Sequence, residues 1–82
     1  MVELYLQYSC PYCIKVMNAA KDMGLEEEKD YRIIRAEMGT MERLKVQQLG
    51  GKSMVPFLVD GHHWMYESAD IIEYLKKKFN RT

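Results

Sequence analysis

The stretch that decides the fold is Val2-Glu3-Leu4-Tyr5-Leu6-Gln7-Tyr8-Ser9-Cys10-Pro11-Tyr12-Cys13, near the start of the chain. Apolar and polar residues alternate from Val2 to Gln7, which is the side-chain period of a β-strand. Pro11 favours a helix start, because proline lacks an N–H group that the first helical turn would leave unpaired. The stretch therefore predicts a strand, a short loop and a helix whose beginning carries two cysteines.

These two residues, Cys10 and Cys13, are the only cysteines of the 82-residue chain. A bond between them would close so small a loop that it would hardly stabilise the fold. Unpaired N–H groups and the helix dipole favour an anion at a helix start, so we expect Cys10 to be the acidic, nucleophilic thiol. Cys13 would then be the resolving thiol. This arrangement predicts thiol–disulfide exchange.

A zinc site is the main chemical alternative for a Cys-x-x-Cys pair, but such a site needs four ligands. The chain has no second cysteine pair, and its two histidines, His62 and His63, are adjacent in sequence. Neighbouring residues of a strand point to opposite faces of the sheet. We therefore expect no metal, and we interpret the histidines as exposed residues beside a hairpin turn.

The rest of the chain alternates between strand and helix patterns. The first helix should end near residue 23, before Gly24, with an apolar stripe of Ile14, Met17, Ala20 and Met23. The later signals are a strand at Tyr31–Arg35, a helix from Thr40 to Gly50-Gly51, strands at Phe57–Val59 and His63–Tyr66 around an Asp60-Gly61 turn, and a helix capped by Ser68. The order β-α-β-α-β-β-α predicts an α/β fold, a four-stranded mixed sheet with three helices.

Length and charge limit the classes of function. At 9.7 kDa the chain is predicted to form a single domain over residues 1–82. Twelve basic residues balance twelve acidic ones, so no field attracts nucleic acid or an anionic membrane. No apolar run approaches the length of a membrane-spanning helix. A lone thiol pair is typical of a reducing compartment, and we expect a monomeric, cytoplasmic protein.

The motifs resemble those of the glutaredoxins, and the resemblance covers nearly all of the chain. Cys10-Pro11-Tyr12-Cys13 is similar to the dithiol signature of that family, and Gly51-Lys52-Ser53-Met54-Val55-Pro56 is similar to its Gly-x-x-Thr-Val-Pro. The resemblance implies a thioredoxin-like (glutaredoxin) fold. It also implies that Pro56 follows a cis peptide bond and faces the active site, and that the backbone of Val55 pairs with bound glutathione.

The segment from Tyr66 to Asp70 differs from the usual glutaredoxin Gly-Gly-Cys-Asp-Asp. It resembles instead the glutathione-binding helix start in the thioredoxin-like domain of glutathione transferases and transferase-like glutaredoxins. Helix N–H groups with a hydroxyl and nearby acids can hold the carboxylate and ammonium of a γ-glutamyl group. The resemblance therefore implies a glutathione site formed by Tyr12, Val55, Pro56, Glu67, Ser68 and Asp70.

Two positions depart from the glutaredoxin pattern. Gln7 stands where the family often has lysine, and Met54 where it has threonine. Both bear on how far the thiol pKa falls and how tightly glutathione binds. The transferase-like proteins continue into a helical second domain, whereas the printed chain ends at Thr82, so we expect no transferase activity.

The resemblance implies a glutathione-dependent thiol–disulfide oxidoreductase that reduces protein disulfides and glutathione mixed disulfides. Glutathione is then a co-substrate and no cofactor is needed. One alternative is a thioredoxin-like reductant fed by a flavoprotein reductase, which the departures at Gln7 and Met54 leave open. Another is a binding module in which the cysteine thiolate and glutathione hold an iron–sulfur cluster between two subunits. Pro11 stiffens the loop beside Cys10, which disfavours the iron–sulfur cluster.

Overall fold

A computed structural model describes residues 1–81, in which strands and helices follow the predicted order. The elements are β1 (Val2–Leu6), α1 (Pro11–Asp22), β2 (Tyr31–Arg35), α2 (Met41–Gly50), β3 (Phe57–Asp60), β4 (His63–Tyr66) and α3 (Ser68–Lys78). The prediction of a four-stranded mixed sheet with three helices is confirmed. Among the described residues, no helix is both long and apolar enough to cross a membrane.

The sheet has the strand order β2-β1-β3-β4. β1 runs parallel to β2, with Val2 opposite Tyr31 and Leu6 opposite Arg35. It runs antiparallel to β3, which forms a hairpin with β4. Because β1 is an inner strand, its carboxyl end carries the loop with Cys10 to the middle of one sheet edge.

Helices cover both faces of the sheet, and β1 therefore has buried side chains on both sides. Val2, Leu4 and Leu6 are fully buried in the core formed with α1 and α3. Tyr5 points the other way and is only 2% exposed, against α2 and Phe57. The strand alternation was predicted, but the burial of its second face was not.

The buried face of α1 agrees with the predicted stripe at Ala20, Met17 and Met23 but not at Ile14. Cys13, Val16 and Ala20 are the fully buried residues of this helix, whereas Ile14 is 40% exposed. The helix begins at Pro11 directly after the loop, and this start turns its third residue toward the sheet. The prediction was therefore wrong for Ile14, and it missed that Cys13 belongs to the core.

The second helix begins and ends as predicted. Thr40 accepts a hydrogen bond from the Arg43 N–H at 3.2 Å, and Gly51 ends the helix with a positive φ of 90°. Val46 is the only buried residue of α2, because this helix covers just the small cluster around Tyr5. Its other large apolar side chains are exposed, namely Met41, Leu44 and Leu49.

The hairpin turn is shifted by one residue from its predicted position. Asp60 pairs with His63, so the two turn residues are Gly61 and His62. Both histidines are exposed, as predicted, and the ring of His63 stacks on Tyr74 with ring centres 5.0 Å apart. Within residues 1–81, no three metal-ligating side chains come together.

Candidate thiol site

Cys10 lies at the amino-terminal end of α1, where it is the N-cap residue. Its backbone is extended, with φ −85° and ψ 123°, and is held from both sides. The Cys10 N–H donates to the Gln7 carbonyl at 3.0 Å, and the Cys10 carbonyl accepts the Ile14 N–H at 3.0 Å. Cys10 is half-buried and Cys13 is fully buried. Both are free thiols in this structure.

The surroundings of Cys10 favour its ionised form. Burial has the largest single effect and opposes ionisation, yet the pKa of Cys10 lies below its usual 9.0. The N–H groups of Cys13 and Tyr12, the Cys13 thiol and the positive charge of Arg43 together outweigh the burial. The predicted acidity of Cys10 thus has its cause in the first turn of α1.

The surroundings of Cys13 have the opposite effect. The pKa of Cys13 is raised to about 12. Burial is the largest cause, and the neighbouring Cys10 also raises the pKa, against the opposing effects of Gln7 and Arg43. The Gln7 N–H lies 3.4 Å from the Cys13 sulfur. The two thiols therefore differ in acidity, with the pKa of Cys10 lowered and that of Cys13 raised.

A groove of about 310 Å³ lies against Tyr12 in the first turn of α1, between the two cysteines in sequence. It is lined by Tyr12, Met54, Val55, Pro56, Glu67 and Ser68. The Val55–Pro56 peptide is cis, as the resemblance implied. The structure thus brings together five of the six residues predicted to contact glutathione. Asp70 is the exception, because it lines a separate depression with Glu73 and Lys77.

The start of α3 corrects one prediction. The cap residue is Glu67, and Ser68 is the first helical residue, with no side-chain cap. Glu67 has a φ of 75°, in the left-handed region that side chains other than glycine rarely adopt. This backbone turn starts the helix one residue earlier than a Ser68 cap would. The first helical hydrogen bond is from the Ile71 N–H to the Glu67 carbonyl, which leaves the preceding N–H groups for a ligand.

Two residues of the site were missed by sequence reasoning. Arg43 extends from α2 and donates to Gln7 and to Ser53. Tyr66 holds the loop after α2 through its bonds to Lys52. Arg43 lies in no motif, and a basic residue on a helix is usually solvated. Tyr66 stands in the segment that resembles the transferase helix start, but nothing in that segment indicates a bond to Lys52. The sequence therefore carries no signal for these contacts.

The crossover from β1 to β2, the β3–β4 hairpin, and a cis-proline beside a cysteine-bearing helix start define a thioredoxin-like protein. Residues 4–82 match the family described as "Glutathione S-transferase, N-terminal domain". The chain belongs to this family, which links it to glutathione and to glutathione-related enzymes. The match is to the transferases, the group that Tyr66–Asp70 resembles, and not specifically to the dithiol glutaredoxins.

Solved structures agree with this assignment of the fold. Glutathione transferase Omega 3C from Trametes versicolor superimposes with a TM-score of 0.82 at 22% identity, over 99% of this chain and 35% of that one. Apo human glutathione S-transferase T1-1 superimposes with a TM-score of 0.81 at 25% identity, over 100% of this chain and 34% of that one. An epsilon-class glutathione S-transferase from the housefly, Musca domestica, superimposes with a TM-score of 0.81 at 19% identity, over 100% of this chain and 37% of that one. The chain spans about a third of the length of these proteins.

Proposed function

We propose that this protein is a glutathione-dependent thiol–disulfide oxidoreductase of the glutaredoxin type. The observation that carries the proposal is the opposite acidity of two thiols at one helix start, beside the groove described above. A lowered pKa at Cys10 supplies thiolate for attack, and a raised pKa at Cys13 keeps the second thiol protonated. The family match supports glutathione as the small-molecule partner.

The reaction on a glutathione mixed disulfide needs only Cys10. Its thiolate attacks the glutathione sulfur, the substrate leaves as a thiolate that takes up a proton, and Cys10 becomes joined to glutathione. A second glutathione thiolate then attacks that bound glutathione sulfur. The Cys10 thiolate is released together with glutathione disulfide, so two electrons pass from two glutathione molecules to the substrate.

The reaction on a protein disulfide uses both cysteines. Attack by Cys10 forms a mixed disulfide and frees one substrate thiol. Cys13 then loses its proton and attacks the Cys10 sulfur, which frees the second substrate thiol and forms the Cys10–Cys13 disulfide. Two glutathione molecules reduce that disulfide in successive exchanges and leave as glutathione disulfide.

The groove offers a position for glutathione beside Cys10. The backbone of Val55, which lines the groove, would pair with the cysteinyl part of the tripeptide. Ser68 and the free N–H groups of the first turn of α3 would bind the γ-glutamyl carboxylate, with Glu67 near its ammonium group. We propose that Asp70, outside the groove, acts only through its charge near the helix start.

The proposal includes a monomer in a reducing compartment such as the cytoplasm. Its partners are glutathione and proteins that are glutathionylated or contain a disulfide. The balanced charge of the chain supports such partners rather than nucleic acid or membranes. Glutathione is a co-substrate, and the reaction as written needs no cofactor.

The test uses Cys10→Ser and Cys13→Ser, each assayed on two substrates with glutathione as the only reductant. Cys10→Ser should abolish both reactions. Cys13→Ser should still reduce a glutathionylated peptide, but should lose most activity on an intramolecular protein disulfide. Retained turnover in folded Cys10→Ser would contradict the proposal. Conjugation of glutathione to an aryl halide, without any disulfide reduction, would assign the chain to the transferase reaction instead.

A further inference from the structure

Arg43, in the first turn of α2, contacts three segments that surround the thiols. Its Nη1 donates to the Gln7 side-chain oxygen at 2.9 Å and to the Ala36 carbonyl at 3.0 Å. Its Nε donates to the Ser53 hydroxyl at 3.2 Å, and its Nη2 to the Ser53 carbonyl at 3.1 Å. One side chain thus joins the loop before Cys10, the end of β2 and the loop that leads to the cis-proline.

This set of bonds requires a guanidinium group. Arginine has five N–H donors in a rigid plane, and four hydrogen bonds are formed here in three directions. A lysine ammonium could not reach all of these oxygens at once. Over residues 1–81 Arg43 forms no salt bridge, whereas nearby Arg35 is paired with Glu37. The charge of Arg43 is therefore not neutralised by a carboxylate.

Gln7 connects this charge to the thiols. Its side-chain oxygen accepts from Arg43, and its side-chain nitrogen donates to the Ser9 hydroxyl at 3.0 Å. Its backbone N–H faces the Cys13 sulfur at 3.4 Å. The charge of Arg43 also lowers the pKa of Cys10, although burial and the N–H groups of α1 have larger effects. Among the described residues, Cys13 and Arg43 are the ionisable groups that act on Cys10.

We propose that Arg43 is the positioning residue of the thiol site: it fixes the Gln7 loop and the Ser53 loop relative to each other and supplies the site's permanent cation. The inference rests on the proposed function, since it takes the thiol pair as the reactive centre. A cation at position 7 is then unnecessary, because α2 provides one that is held by four hydrogen bonds.

The test compares Arg43→Met and Arg43→Lys, both in a Cys13→Ser background so that Cys10 alone is observed. Thiolate absorbance gives the Cys10 pKa, and alkylation at pH 7 gives its reactivity. Arg43→Met should raise the pKa and slow alkylation by about threefold or more. Arg43→Lys keeps the charge without the planar fork, so it should largely preserve the pKa but lose hydrogen-exchange protection over residues 51–54. Arg32→Met, an exposed arginine paired with Glu28, is the matched control and should change neither.

Two results would overturn the inference. One is an unchanged Cys10 titration with unchanged exchange in a folded Arg43→Met. The other is an unchanged titration with a raised KM for the glutathionylated peptide, which would make Arg43 a substrate contact. If Arg43→Met does not fold, Arg43→Lys and Ser53→Ala provide the test. Hydrogen exchange over residues 51–54 at the wild-type rate in both variants would refute the positioning role of Arg43. The Cys10 titration and the hydrogen exchange do not depend on turnover. A failure of the proposed oxidoreductase activity can therefore be distinguished from a failure of the role inferred for Arg43.

Discussion

The Tyr66 hydroxyl binds both polar backbone groups of Lys52. It accepts the Lys52 N–H at 3.1 Å and lies 2.7 Å from the Lys52 carbonyl oxygen, to which it donates. The Val46 carbonyl is a further acceptor at 3.3 Å. Tyr66 ends β4 directly before Glu67, which lines the groove with Ser68. The contact with Lys52 therefore connects this side of the groove to the loop that carries Met54 to Pro56 on the other side.

Gly50→Ala should destabilise the protein because of Tyr66. Alanine within a helix normally stabilises it by about 0.5–1 kcal/mol relative to glycine. Here the added Cβ would lie 2.7 Å from the Cε2 and Cζ atoms of Tyr66, and such overpacking costs about 1–3 kcal/mol. We expect a net loss of about 1–2 kcal/mol in the free energy of unfolding, measured by urea denaturation.

The control for this prediction is the same substitution in a Tyr66→Ala background. With the ring removed, Gly50→Ala should be neutral or stabilising. Equal destabilisation in both backgrounds would show that Tyr66 is not the cause.

The two thiols should differ in the pH dependence of alkylation. In Cys13→Ser, the reaction of Cys10 should reach half its maximal rate below the usual thiol pKa of 9.0, because its pKa is lowered. In Cys10→Ser, Cys13 should remain unreactive to above pH 9, because burial, the largest cause of its raised pKa, is unchanged. Iodoacetamide labelling followed by mass spectrometry measures both rates. Equal rates at pH 7 in folded variants would refute this difference.

Ser68→Ala should weaken glutathione binding much more than Asp70→Asn. Ser68 lines the groove, whereas Asp70 lines a separate depression. Loss of a charge-assisted hydrogen bond costs about 1.5–3 kcal/mol, so KM for a glutathionylated peptide should rise about tenfold or more in Ser68→Ala. Asp70→Asn should change KM by less. A larger effect of Asp70→Asn would place the γ-glutamyl group on the other side of α3.

Tyr74→Phe should reduce stability at neutral pH but not in acid. Hydrogen bonding from Tyr74 is the main cause of the lowered pKa of Asp60, with Lys78 adding to it against burial. A carboxyl pKa lowered by folding gives stability that is complete above the unfolded pKa and is lost as pH falls through the folded pKa. We expect Tyr74→Phe to lower the free energy of unfolding by about 1 kcal/mol at pH 7. The difference from the wild type should become smaller below about pH 4.

Urea denaturation across this pH range gives the measurement for Tyr74→Phe. The same substitution in an Asp60→Asn background should show a smaller and pH-independent loss. A loss that stays constant from pH 7 to pH 3 in the wild-type background would mean that the Asp60 charge is not involved.

The order of strands and helices could be predicted because its signals are local. Alternation in β1, proline at the first position of α1, the Thr40 cap and the turn after β3 each depend on residues within a few positions of one another. The cysteine pair was found for the same reason, since only two residues separate Cys10 from Cys13. Where local patterns failed, as at Ile14, the orientation of a helix against the sheet decided the burial.

The tertiary structure decided the environment of that pair. Arg43 reaches Gln7 across 36 positions of the chain, and Tyr66 reaches Lys52 across 14. No local pattern records such contacts, because they depend on how α2 and the hairpin pack on the sheet. The opposite acidities of Cys10 and Cys13 likewise come from unequal burial and from charges brought near by folding. The sequence by itself determined which atoms can react and predicted Cys10 as the acidic thiol from its place at a helix start. Only the fold determined how burial and Arg43 act on the two thiols, because a pKa depends on the solvation and charge around the group.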